Sequence, residues 1–187
     1  MRSFIPGLLA LFIAIPCAVA ESATAVFAGG CFWCMESDYQ EQPGVTDVIS
    51  GFTGGTLKNP TYSGDHRGHF EAVKVTYDPD IISYQELLDL FWVNIDPFDN
   101  KGQFCDKGFS YRSAIFPGNE AERKLAEQSR DAVASRFPNE EVYTEIRDAS
   151  FSKASSLQKD KGCQYFIRRY SVCKVFRTFP ATESSIR

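Results

Sequence analysis

The chain has 187 residues, 43% of them hydrophobic, which is enough for one domain of ordinary size with a buried core. Its net charge is −4, with acidic and basic residues interspersed. No basic stripe runs along it, so nucleic acid is excluded as an expected partner.

Residues 1–20 stand apart from the rest. Met1-Arg2 precedes an apolar run from Phe4 to Val19, closed by the small-x-small pattern Ala18-Val19-Ala20. This predicts a secretory signal peptide cleaved after Ala20, and an exported protein, periplasmic or secreted. A membrane anchor is the competing reading, but the run is short for a span and is interrupted by Pro6 and Pro16. Cleavage leaves no membrane association. It also leaves five of the six cysteines, an odd number in a disulfide-permissive compartment, so at least one thiol is free, cycling or paired elsewhere.

Thr24 to Ala28 reads as a short buried strand delivering Gly29-Gly30. Cys31 follows at once, at the start of a predicted helix over Cys31 to Gln40 that Pro43-Gly44 ends. A thiol there meets the positive end of the helix dipole and unpaired N–H groups, which favour the thiolate. Phe32 and Trp33 supply aromatic walls suited to a small apolar or sulfur-bearing group. Cys31-Phe32-Trp33-Cys34 is also half of a zinc motif. No second C-x-x-C or paired histidines follow, so no metal is expected.

Val45 to Phe52 reads as a second strand, followed by a polar, glycine-rich surface loop from Gly54 to Gly68. Phe70 to Tyr77 reads as a third. There Val73, Val75 and Tyr77 alternate with Lys74 and Thr76, and Glu71 shares the apolar parity. A carboxyl on that face either frays into solvent, pairs with a lysine, or holds a proton because ionisation is costly.

Ser83-Tyr84-Gln85-Glu86 is a capping box opening a helix whose Leu87, Leu88, Phe91, Trp92 and Ile95 make one apolar face, stopped at Pro97. An irregular loop spans Asp99 to Ser110, and Tyr111 to Phe116 reads as a strand. Asn119 and Glu122 cap a further helix ending before Pro138, and Val142 to Ile146 makes a last short strand. The order predicts an α+β fold. It is a two-layer sandwich of one sheet with helices on one side, the ferredoxin-like (split βαβ) plait, followed by an irregular C-terminal tail. The domain reading is a signal peptide at 1–20, a catalytic domain at 21–150 and a tail with candidate recycling cysteines at 151–187.

Several blocks together resemble the peptide methionine sulfoxide reductase A family. They are Gly30-Cys31-Phe32-Trp33, Gly54-Gly55, Asn59-Pro60-Thr61-Tyr62, Gly68-His69-Phe70-Glu71-Ala72-Val73 and the run from Asp106 to Ile115. The resemblance covers about Ala25 to Ile146. It implies reduction of methionine-S-sulfoxide, free or protein-bound, to methionine through a cysteine sulfenic acid and then a disulfide. It also implies roles. Cys31 attacks the sulfoxide sulfur, and a protonated Glu71 serves the oxygen. Phe32 and Trp33 enclose the methyl group, Tyr62 and Tyr111 offer hydroxyls, and Asp106 orients polar groups or water.

The implied partners are oxidised proteins or peptides and a thioredoxin-like dithiol reductant, with no other cofactor, and the chain is expected to be a monomer. The family's Tyr-His-Gln block is absent. Phe151 to Gln158 stands in its place. Tyr170-Ser171-Val172-Cys173 resembles a recycling segment, so Cys173 is the leading resolving thiol. Cys163 is second, Cys34 and Cys105 are further candidates, and a tail that no longer recycles is the remaining option. The alternative function is an exported thioredoxin-like thiol-disulfide oxidoreductase using Cys31 and Cys34.

Overall fold

A computed structural model describes residues 21–148 and 150–153. The segment 1–20 expected to be a signal peptide, with Cys17, and the tail beyond 153, with Cys163 and Cys173, lie outside the described residues.

Among the described residues the chain is mixed α/β, with a central sheet and three helices. In order it forms β1 (Ala23–Gly29), α1 (Phe32–Gln40), β2 (Val45–Thr53), β3 (Phe70–Tyr77), α2 (Tyr84–Asn94) and β4 (Gly102–Gln103). Then come β5 (Asp106–Lys107), a 3-10 turn (Phe109–Tyr111), β6 (Ser113–Phe116), α3 (Glu120–Arg136), β7 (Glu145–Ile146) and β8 (Ser152–Lys153). The six-stranded sheet runs β7-β6-β1-β3-β2-β8, while β4 and β5 form a separate pair. Only β6 and β7 are parallel within it.

Strand alternation divides the sheet's two faces. Phe27 of β1 and Val73 and Val75 of β3 join the helices in the larger core, whereas Ala28, Phe70, Ala72, Ala114 and Phe116 pack together on the other side. On the helix side the Phe27 ring stacks on Tyr39 of α1 at 5.4 Å and on Phe91 of α2 at 5.5 Å. The Tyr39 hydroxyl donates to the carbonyl of Leu87 at 3.2 Å, so α1 and α2 are bolted together over the sheet. The Phe27 side chain is fully buried. Removing it opens a void costing about 3–5 kcal/mol.

The capping box at Ser83 forms as the sequence predicts, with Glu86 N–H donating to the Ser83 hydroxyl and Ser83 N–H donating to the Glu86 carboxylate. Three boundaries differ from expectation. Tyr111 belongs to a 3-10 turn rather than to a strand, because Tyr111 N–H and Arg112 N–H donate to Gly108 and Phe109 and leave pairing to begin at Ser113. Val142 to Thr144 precede β7 rather than joining it: Tyr143 N–H is drawn to the carbonyl of Pro97. The tail boundary drawn at 150 falls too early for the sheet, since Ser152 and Lys153 pair with Phe52 and Gly51.

Candidate active site

The strand β1 aims the chain at the site and two glycines turn it. A Cβ at Gly29 would sit 2.7 Å from Ile95 Cγ2, so only glycine allows β1 to pass α2 this closely. Gly30 adopts φ +96°, which an L side chain rarely tolerates. Cys31 is the N-cap of α1 rather than its first residue, and its carbonyl accepts from the N–H groups of Cys34 and Met35. Its side chain is 3% exposed.

The thiol of Cys31 is held below its ordinary pKa. A hydrogen bond from the Cys34 thiol does most of this; burial opposes it, and the N–H groups of Cys34 and Trp33 add to the lowering. The negative charge of Asp106 pushes it back up. Cys31 and Cys34 are the free cysteines among the described residues, and they pack with Trp33 and Phe104. Phe104 reaches them from a left-handed backbone, φ +48°, at some cost in strain.

Glu71 shares the helix face of β3 with Val73 and Val75, and is 2% exposed. Its Oε2 accepts the backbone N–H of Phe32 at 3.2 Å. Burial pushes this carboxyl up to about 8, helped by the charges of Cys31 and Asp106 and opposed by the Phe32 N–H. The carboxyl is therefore protonated at neutral pH.

The aromatic wall is continuous. The Phe32 ring lies 5.2 Å from Trp33, 5.6 Å from Phe52 and 5.9 Å from Tyr62, and Trp33 and Tyr62 are 4.8 Å apart. Phe32 is buried, while Tyr62 presents an exposed rim. The Tyr111 hydroxyl is kept un-ionised by burial and by the fields of Glu71, Asp106, Cys31 and Tyr62. Tyr62 is raised too, by burial and then by Glu71, Cys31 and Asp106.

The structure thus gathers Cys31, Phe32, Trp33, Tyr62, Glu71, Asp106 and Tyr111 around one helix end. Cys173 lies outside the described residues. Cys105 is disulfide-bonded, so its sulfur is not a free thiol. Sequence reasoning missed Phe104, whose only signal was its place between Gly102 and Gly108, and it did not foresee that the Cys34 thiol would donate to Cys31. Among the described residues, no three His, Cys, Asp or Glu side chains are gathered to hold a metal.

An activated thiol facing an un-ionised carboxylic acid suits one class of chemistry, in which a thiol takes oxygen from a small polarised acceptor while an acid neutralises that oxygen. Comparison with known proteins makes the class specific. The family model for peptide methionine sulfoxide reductase matches residues 23–175, further along the chain than the motif blocks alone reach. A peptide methionine sulfoxide reductase MsrA 2 of Caulobacter vibrioides is 50% identical over 147 residues, covering 76% of this chain and 74% of the relative. The MsrA of Bacillus licheniformis is 48% identical over 141 residues, covering 73% and 78%.

Among solved structures, reduced Mxr1 from Saccharomyces cerevisiae matches with a TM-score of 0.66 at 27% identity, over 73% of this chain and 82% of that one. Methionine sulfoxide reductase A of Corynebacterium diphtheriae matches with a TM-score of 0.64 at 27% identity, over 81% and 76%. Mxr1 in complex with Trx2 shares the fold, with a TM-score of 0.54 at 20% identity over 82% and 89%. The chain belongs to the peptide methionine sulfoxide reductase family. Its activity is thiol-dependent reduction of methionine sulfoxide, which decides against the thioredoxin-like alternative.

Proposed function

We propose that this enzyme reduces methionine-S-sulfoxide with Cys31 as nucleophile and Glu71 as acid. The observation that carries the reading is the buried Glu71 carboxyl bonded to Phe32 N–H, one residue beyond the Cys31 N-cap. The Cys31 thiolate attacks the sulfoxide sulfur while Glu71 gives its proton to the sulfoxide oxygen. That oxygen passes as hydroxide to the Cys31 sulfur as the bond between the two sulfurs breaks and methionine leaves. Phe32 and Trp33 hold the methyl group. Tyr62 and Tyr111 donate to the oxygen, and Asp106 orients the polar side of the site. The substrate sulfur is reduced by two electrons, and Cys31 is oxidised to the sulfenic acid.

A second thiol then condenses with the sulfenic acid, expelling water and forming a disulfide that an external dithiol reduces. Cys173 is the proposed resolving thiol, inside the stretch that the family model matches. The capture of Mxr1 with Trx2 supports a thioredoxin-like reductant. All electrons come from thiols, so the scheme calls on no cofactor. The composition of residues 1–20 supports an exported enzyme, periplasmic or secreted, that is free of the membrane once cleaved. Oxidised proteins and peptides are its proposed substrates, and it acts as a monomer. The order β6-β1-β3-β2, with neighbours antiparallel, supports reading the sheet as the split βαβ plait.

The test is incubation of the purified protein with separate S and R epimers of a dabsylated methionine sulfoxide and dithiothreitol. Consumption of S alone is expected, with loss of turnover in Cys31→Ser. Near wild-type turnover in that variant would sink the assignment.

A further inference from the structure

Five side chains close a ring behind the site. The Arg112 guanidinium pairs with Glu145 at 2.7 Å and stands 5.4 Å over the Phe109 ring. Phe109 lies 4.9 Å from Phe70, and Arg147 stands 5.4 Å over the opposite partner in that pair, the Phe70 ring. Arg147 closes the ring by donating to the second oxygen of Glu145 at 3.2 Å. Its Nη2 donates to the carbonyl of Gly54 at 3.3 Å.

Each contact abuts a residue of the proposed mechanism. Phe109 and Arg112 bracket Tyr111, Phe70 precedes Glu71, and Gly54 opens the loop that carries Tyr62. Phe70 and Glu71 point to opposite faces of β3, so the ring grips the back of the strand that presents Glu71 at the front. The charged members are half-buried, with side chains 26% exposed at Arg112, 31% at Glu145 and 35% at Arg147. A bidentate carboxylate between two guanidiniums, each backed by an aromatic ring, is directional in a way a lone surface pair is not.

We propose that Glu145 is a positioning residue: by clamping Arg112 and Arg147 together it fixes the Phe109–Tyr111 turn and the Gly54 loop against β3. The Tyr111 hydroxyl is thereby held in register with Glu71. This inference rests on the role proposed above for Tyr111.

The test is a double-mutant cycle on the full chain with Glu145→Gln and Tyr111→Phe, reading the single-turnover rate of sulfoxide reduction without added reductant. Each single variant is expected to lose about ten-fold in rate at saturating sulfoxide, and the double variant about ten-fold as well. Glu145→Asp should recover part of the loss. Arg123→Ala breaks the Arg123–Asp148 pair, outside the ring, and should leave the rate unchanged.

Multiplying losses in the double variant, or an equal loss in Arg123→Ala, would overturn the positioning role while leaving Tyr111 in the mechanism. A Tyr111→Phe variant with the full rate would overturn both.

Discussion

The backbone N–H of Phe32 donates to Oε2 of Glu71 across 3.2 Å, joining the first turn of α1 to β3, one of the two central strands of the sheet. One bond therefore fixes the distance between the Glu71 carboxyl and the helix that Cys31 caps. It also offers the carboxyl too little compensation to ionise, since burial still holds it up at about 8.

The rate should fall as pH rises through about 8, because Glu71 then loses the proton that the oxygen needs and gains a charge facing Cys31. Glu71→Gln keeps a hydrogen-bond donor but cannot give up a proton. It should be slower than wild type by roughly 10²-fold and show no alkaline limb, and Glu71→Ala should be slower still. Single-turnover rates between pH 6 and 9.5 check this; an alkaline limb surviving in Glu71→Gln would assign it to another group.

Stability carries the same signature. The folded state keeps the Glu71 proton up to about 8, whereas the unfolded chain releases it near the ordinary 4.5, so the folded state binds more protons between those values. Stability is therefore lost as pH rises across that window, on the order of 3 kcal/mol by pH 7. Glu71→Gln, which does not titrate, should gain thermal stability relative to wild type steadily from pH 5 to 8. Melting curves at four pH values would show it, and a constant difference would contradict it.

Cys34→Ala removes the main influence that lowers Cys31, so the Cys31 pKa should rise toward the ordinary thiol range. The acid limb of the rate should move to higher pH. Alkylation of the Cys31 peptide, followed by mass spectrometry against pH, measures this directly. An unmoved profile would mean that the helix N–H groups suffice.

Cys173→Ser should still release about one methionine per enzyme without reductant but lose multiple turnover driven by a dithiol protein. Mass mapping of the oxidised wild type should show Cys31 bridged to Cys173. A Cys31–Cys34 bridge with normal recycling in the variant would transfer the resolving role to Cys34.

The placement of Cys31 at a helix start, the inward face of Glu71 and the helix caps were legible because each follows from local periodicity: two glycines before a helix start, alternation along β3, a box of four residues at Ser83. The loop carrying Asp106 and Tyr111 was not. Its shape depends on the fully buried Gln103, whose carboxamide accepts from Asp96 N–H and donates to the Asp96 carbonyl, standing in for a strand partner. No spacing rule announces such a pairing. The left-handed Phe104 breaks a residue-type preference outright. The ring around Glu145 joins residues from three distant stretches, so it exists only once the sheet is assembled.

At the far side of the sheet, Gly51 lets β8 lie close. A Cβ there would sit 2.4 Å from both Phe151 Cζ and the carbonyl of Ser152. Any side chain at that position would lift β8 away and bare the hydrogen-bonding row of β2 to other chains. Gly51→Val is therefore a route to aggregation with the thiol chemistry untouched, and expression limits set at residue 150 would strip the same cover from the sheet.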